Sequence, residues 1–84
     1  MPEISRFYGI IIKMFLHDRE HNPPHFHAVY GEYTGNFNIE TLEMYVGDLP
    51  KTAQNFIVEW ARKHKKALLD IWESKTLTKL PPLR

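Results

Sequence analysis

Two spacings divide the chain. Up to about Val46 apolar and polar residues alternate with a period near two. From Lys51 to about Ser74 the apolar residues fall at 53, 56, 57, 60, 64, 67, 68 and 71, with His64 counted among them, which follows a period of 3.6. In the first half, "RFYGIIIKMFL" reads as one strand rich in β-branched and aromatic residues. "DREHNPP" reads as a loop, because proline has no amide proton to give a ladder, so the second strand, "HFHAVYG", begins at about His25. Gly31 and Glu32 make a turn, "YTGNFNIE" is a third strand, and Glu40-Thr41 turns into a short fourth, "LEMYV". Short connections between consecutive strands imply an antiparallel meander. "GDLP" then opens the helix, with Asp48 or its successor as cap and Pro50 in the first turn. The expected fold is α+β: a four-stranded antiparallel meander with one long C-terminal helix packed on one face, in the order β-β-β-β-α. Residues 1–84 form one domain in this reading, with a short C-terminal tail over 76–84 whose Leu77 and Leu80 fold back onto the helix.

Alternation assigns the two faces of the sheet. Ile10, Ile12, Met14 and Leu16 form one apolar row, and Phe26, Ala28 and Tyr30 the next. Tyr33, Gly35, Phe37 and Ile39 complete the inward face. The helix should cover these rows with Ala53, Phe56, Ile57, Trp60, Ala67, Leu68 and Ile71, with Trp72 at the edge of its stripe. The opposite face then collects Lys13, His17, His25, His27, Asn36, Asn38 and Glu40, turned away from the helix.

Composition changes this picture little. Apolar residues at 43% and charged residues at 25% suit a globular chain. The absence of cysteine excludes disulfides, a thiolate metal site and a cysteine nucleophile, and fits a reducing compartment. "FYGIIIKMFL" is interrupted by Lys13 and lacks the flanks of a signal peptide, and it is far too short to span a bilayer. The localisation expected is cytoplasmic, with no membrane partner. A formal charge of +1 is weaker than the basic excess usual in a duplex-DNA binder.

The candidate chemistry lies in "HDREHNPPHFHA", residues 17–28, which holds four of the five histidines. His25 and His27 share a face about 6.6 Å apart, from a rise of ~3.3 Å per residue. Two imidazoles so placed can converge on one divalent metal such as zinc, with His21 as a third ligand and Asp18 as a carboxylate. The same pair can act as general base and general acid on a phosphodiester, with Lys13 as an electrostatic aid. Arg19, Asn36 and Asn38 are then the candidate ligand or phosphate contacts. The bland alternative is a solvated polar face whose histidines hold the loop in shape. The spacing of His25, His27 and Glu32 also echoes half of a cupin metal motif, but the second half and the glycine frame are missing. Asn22-Pro23-Pro24 is extended and stiff, which lowers the entropy cost of fixing its neighbours.

Elsewhere, His64 is expected at the core boundary of the helix. "RKHKK", residues 62–66, is a basic patch, read either as a phosphate contact or as a solvated face paired with Glu59, Asp70 and Glu73. Trp60 and Trp72 read as core.

The stretches "PEISRFYGIIIKMF", "DREHNPPHFHAVYGEY", "IETLEMYVGDLP", "EWARKHKKALLDIW" and "KLPPL" resemble, nearly end to end, the small bacterial family known as domain of unknown function 4160. The motif positions are Asp18, His21, Pro23, Pro24, His25, His27, Tyr30, Gly31 and Glu32. An aspartate common on the third strand of that family is replaced here by Asn38. The resemblance implies one half of a toxin–antitoxin-like or regulatory two-gene module, with a small protein partner encoded nearby. The reading carried forward is a protein acting through its histidine-bearing sheet face on a protein partner or on RNA. Two alternatives stand beside it. One is a divalent-metal protein using His21, His25, His27 and Asp18. The other is a non-catalytic homodimer built on exposed Ile11, Phe15 and Val29.

Overall fold

The first strand does not run unbroken through "RFYGIIIKMFL". In the computed structural model, which describes residues 3–15 and 23–83, it folds back on itself at Tyr8-Gly9. Both residues take positive φ, 52° and 80°, the geometry of the tight hairpin turn whose twist matches its flanking strands. The strands on either side are β1 (Glu3–Phe7) and β2 (Ile10–Lys13), paired antiparallel with Phe7 opposite Ile10. Tyrosine is rare at such a position, so the sequence reading joined two strands into one.

Three further strands follow: β3 (His25–Tyr30), β4 (Tyr33–Asn38) and β5 (Met44–Gly47). They complete a five-stranded antiparallel sheet in the order β1-β2-β3-β4-β5. The expected four-stranded meander is therefore corrected to five strands. The turn at Gly31-Glu32 stands as expected, with Tyr30 opposite Tyr33. Gly47 is required at the end of β5, since it lies at φ 133° and a Cβ there would strike the backbone of Thr34 and Gly35.

The single long helix is corrected as well. It divides into α1 (Lys51–Lys63) and α2 (Lys65–Ser74). His64 stands between them at φ −118° and ψ 18°, outside helical angles, and its N–H donates to Ala61 O in a three-residue step. No proline or glycine marks the break. The α1 N-terminus also differs from expectation, because Pro50 precedes it without a side-chain cap. Asp48 instead accepts a hydrogen bond from the N–H of Thr34 through Oδ1, at 3.2 Å.

Inside, the parity assignment holds away from the β3–β4 turn, and Leu16 lies outside the described residues. Ile10, Ile12, Met14, Phe26, Ala28, Phe37 and Ile39 are buried beneath Ala53, Ile57, Trp60, Leu68 and Ile71. Phe26 stacks on Phe37 with centroids 5.2 Å apart, and Trp60 meets Phe26 edge-on at 6.1 Å. Each large side chain so buried contributes about 1.5–3 kcal/mol. Tyr30 and Tyr33 are exposed, contrary to expectation, because they flank the Gly31-Glu32 turn, and Phe56 of α1 is exposed too, against Tyr8. The tail crosses β1, with Leu80 N–H donating to Ile4 O at 2.8 Å and Trp60 Nε1 to Pro81 O at 2.8 Å.

Candidate functional site: the histidine end of the sheet

The outer face of the sheet is ordered in rows. One row runs Lys13, His27, Asn36 and Val46 across β2 to β5. In the next, His25 stands opposite Asn38. The two imidazoles lie on one face with centroids 5.2 Å apart, at an interplanar angle of 68°. The expectation that they are neighbours is met.

The expectation that they face open water is not. His25 is only 3% exposed. Trp72 of α2 covers it, with centroids 5.1 Å apart, and Tyr45 approaches it edge-on at 6.3 Å. His27 is half-buried, and Phe15 meets it edge-on at 4.6 Å. Past the break at His64, α2 carries Trp72 to the start of β3, so the helical layer reaches the histidines at this end.

His25 Nδ1 lies 2.9 Å from Pro23 O. A carbonyl oxygen only accepts, so Nδ1 carries the proton and Nε2 is the basic atom of the neutral ring. Pro23 and Pro24 supply two anchors here, since Pro24 O also accepts from the N–H of Ile39 at 2.9 Å. The stiff dipeptide thus fixes the start of β3.

The other predicted residues divide. Lys13 is brought opposite His27, between it and Glu3. Asn36 faces His27 and is half-buried. Asn38 shapes a turn: its Oδ1 accepts from the N–H groups of Glu40 at 2.7 Å and Thr41 at 3.0 Å. His17, Asp18, Arg19 and His21 lie outside the described residues. Among the described residues, no group of three His, Asp or Glu side chains comes together to hold a metal. Ile11, Phe15 and Val29, expected as an exposed dimer patch, are half-buried.

Trp72 and Tyr45 are the members of the cluster that sequence reasoning missed. Trp72 was legible only as the edge of a core stripe. Tyr45 falls at an irregularity in the β4–β5 register, so simple parity did not place it.

Residues 9–73 match the sequence pattern of the family described as Domain of unknown function (DUF4160). The chain belongs to this family. No curated protein and no solved structure matches it. The family span takes in His25, His27, Tyr45 and Trp72 together, and leaves out β1 and the tail. Among the described residues, no helix is long and apolar enough to cross a membrane.

Proposed function

We propose that this protein is one half of a small two-gene regulatory module and acts through the histidine end of its sheet, with His27 as the contacting group and His25 as its oriented neighbour. The observation that carries this reading is the imidazole pair, 5.2 Å apart, with one ring fixed by a backbone carbonyl. A structural histidine needs no second imidazole beside it. A general base or ligand-holding group does need a defined tautomer, and the Pro23 carbonyl supplies one. Lys13 in the adjoining strand favours an anionic ligand at His27. The partner is the product of a neighbouring gene.

Controlled expression in a bacterial host tests the reading. The intact chain is expected to slow growth, and His27→Ala to abolish that effect at equal protein level. Co-expression of the neighbouring gene is expected to restore growth. Slowing that survives the His25→Ala/His27→Ala double variant, or an intact chain without effect, would overturn it.

A further inference from the structure

The basic segment around the helix break carries more charge than its one fold contact, from Lys65, uses. Arg62, Lys63, Lys65 and Lys66 are all exposed, and no acid interrupts them. Glu59 and Asp70 lie at helical spacings where pairing would be natural, four residues from Lys63 and Lys66. Yet among the described residues the ion pair formed is elsewhere, between Arg6 and Glu3 at 2.9 Å. The cations of this segment are therefore not braced by those acids.

Its position points to a ligand. Lys65 donates through Nζ to Glu40 O at 2.7 Å. Glu40 N–H donates to Asn38 Oδ1, and Asn38 stands opposite His25. The basic segment thus sits at the same end of the sheet as the imidazole pair. α2 begins in it, places Trp72 on His25, and ends at Lys75, whose Nζ lies 4.2 Å from the centre of the Trp72 ring. Cations flank the histidines at both ends of one helix. Tyr45 lies edge-on to His25 at the same end. A run of exposed cations in a groove that tracks the backbone is what a single-stranded nucleic acid uses for its phosphates. The small net charge is consistent with a local groove and not with a duplex-wide field.

We infer that Arg62, Lys63 and Lys66 form a phosphate-binding ridge that guides single-stranded RNA to the histidine end. This rests on the histidine end being the acting surface and names its ligand. Glu59, Asp70 and Glu73 bound the ridge and limit it to a short stretch of strand.

The test is fluorescence anisotropy of a labelled single-stranded oligouridine against the full chain, titrated at several salt concentrations. Affinity should fall with salt, at a log–log slope of about −0.7 per phosphate neutralised. The triple variant Arg62→Ala/Lys63→Ala/Lys66→Ala should bind at least tenfold more weakly and lose about 2 from that slope, with an unchanged circular dichroism spectrum. Lys51→Ala removes one exposed cation about 18 Å away along α1 and should change neither. A Lys63→Arg/Lys66→Arg variant, which keeps the charge, should bind as the parent does. No measurable binding, an unaltered slope in the triple variant, or an equal loss in Lys51→Ala would overturn the ridge. If the ridge fails while growth still depends on His27, the acting surface stands and RNA is not its ligand. If RNA binds through the ridge while growth is indifferent to His27, the ridge stands and the proposed function fails.

Discussion

The two tryptophans are used in opposite ways. Trp60, on α1, is fully buried among Phe7 and Phe26, and its indole N–H is satisfied by the tail at Pro81 O. Its two phenylalanine neighbours and the tail hold the core together. Trp72, on α2, is nearly as buried at 7% exposed, but it lies on His25 and beneath the Lys75 ammonium. Its neighbours are the groups that could bind or react. Equal burial therefore says little about role. What a side chain is buried against separates a core anchor from the roof of a site.

That contrast makes predictions of graded size. Trp60→Ala should cost the most, about 3–5 kcal/mol in urea unfolding, because the cavity lies between both layers. An effect below about 1 kcal/mol would remove Trp60 as the anchor. Trp72→Ala should cost less, roughly 2 kcal/mol, since one side of its ring faces a cation and not packed apolar atoms. It should also abolish the effect on growth while the chain stays folded. Retention of that effect would break the contrast between the two residues.

Lys75→Met should be smaller again, about 0.5 kcal/mol, from loss of an exposed cation–π contact. Methionine keeps the cost of the left-handed backbone at this position, φ 59°, so the difference isolates the charge.

The smallest expected effect is a pH slope from His64, whose ring lies tilted against Trp60 with centroids 5.1 Å apart where the two helices meet. Burial, and then the neighbouring Lys63 charge, hold its pKa below the ordinary value of 6.5. As pH falls below about 6.5 the unfolded chain takes up a proton that the folded chain resists. Stability is thus complete above that value and declines below it, until the folded imidazole is itself charged. Thermal unfolding of His64→Gln should show a flatter profile between pH 7 and 5 than the parent, on the order of a single-site effect. An identical profile would show that His64 is not strained by its setting.

Much of the inward face was legible in the sequence because two-residue alternation is strict once one face is buried. Ile10, Ile12, Phe26 and Phe37 needed no other signal. The hairpin at Tyr8-Gly9 was not legible, because a tyrosine with positive φ gives none of the usual turn chemistry. The helix break was hidden for a related reason: His64 kept the 3.6 spacing intact and neither proline nor glycine announces the change. The histidine pair was legible from a spacing of two. Its cover was not, since Trp72 reaches His25 from past the break at His64, and Tyr45 lies where the β4–β5 register slips. Local pattern gave rows, whereas the site depends on how rows meet elements distant in sequence.

The most direct test is a long-range proton–nitrogen correlation spectrum of the histidine rings at neutral pH. The account predicts that His25 carries its proton on Nδ1, held by the Pro23 carbonyl, and that His27→Gln disturbs the His25 ring signals while Lys51→Ala leaves them in place. A His25 ring protonated at Nε2, or one indifferent to the loss of His27, would contradict it.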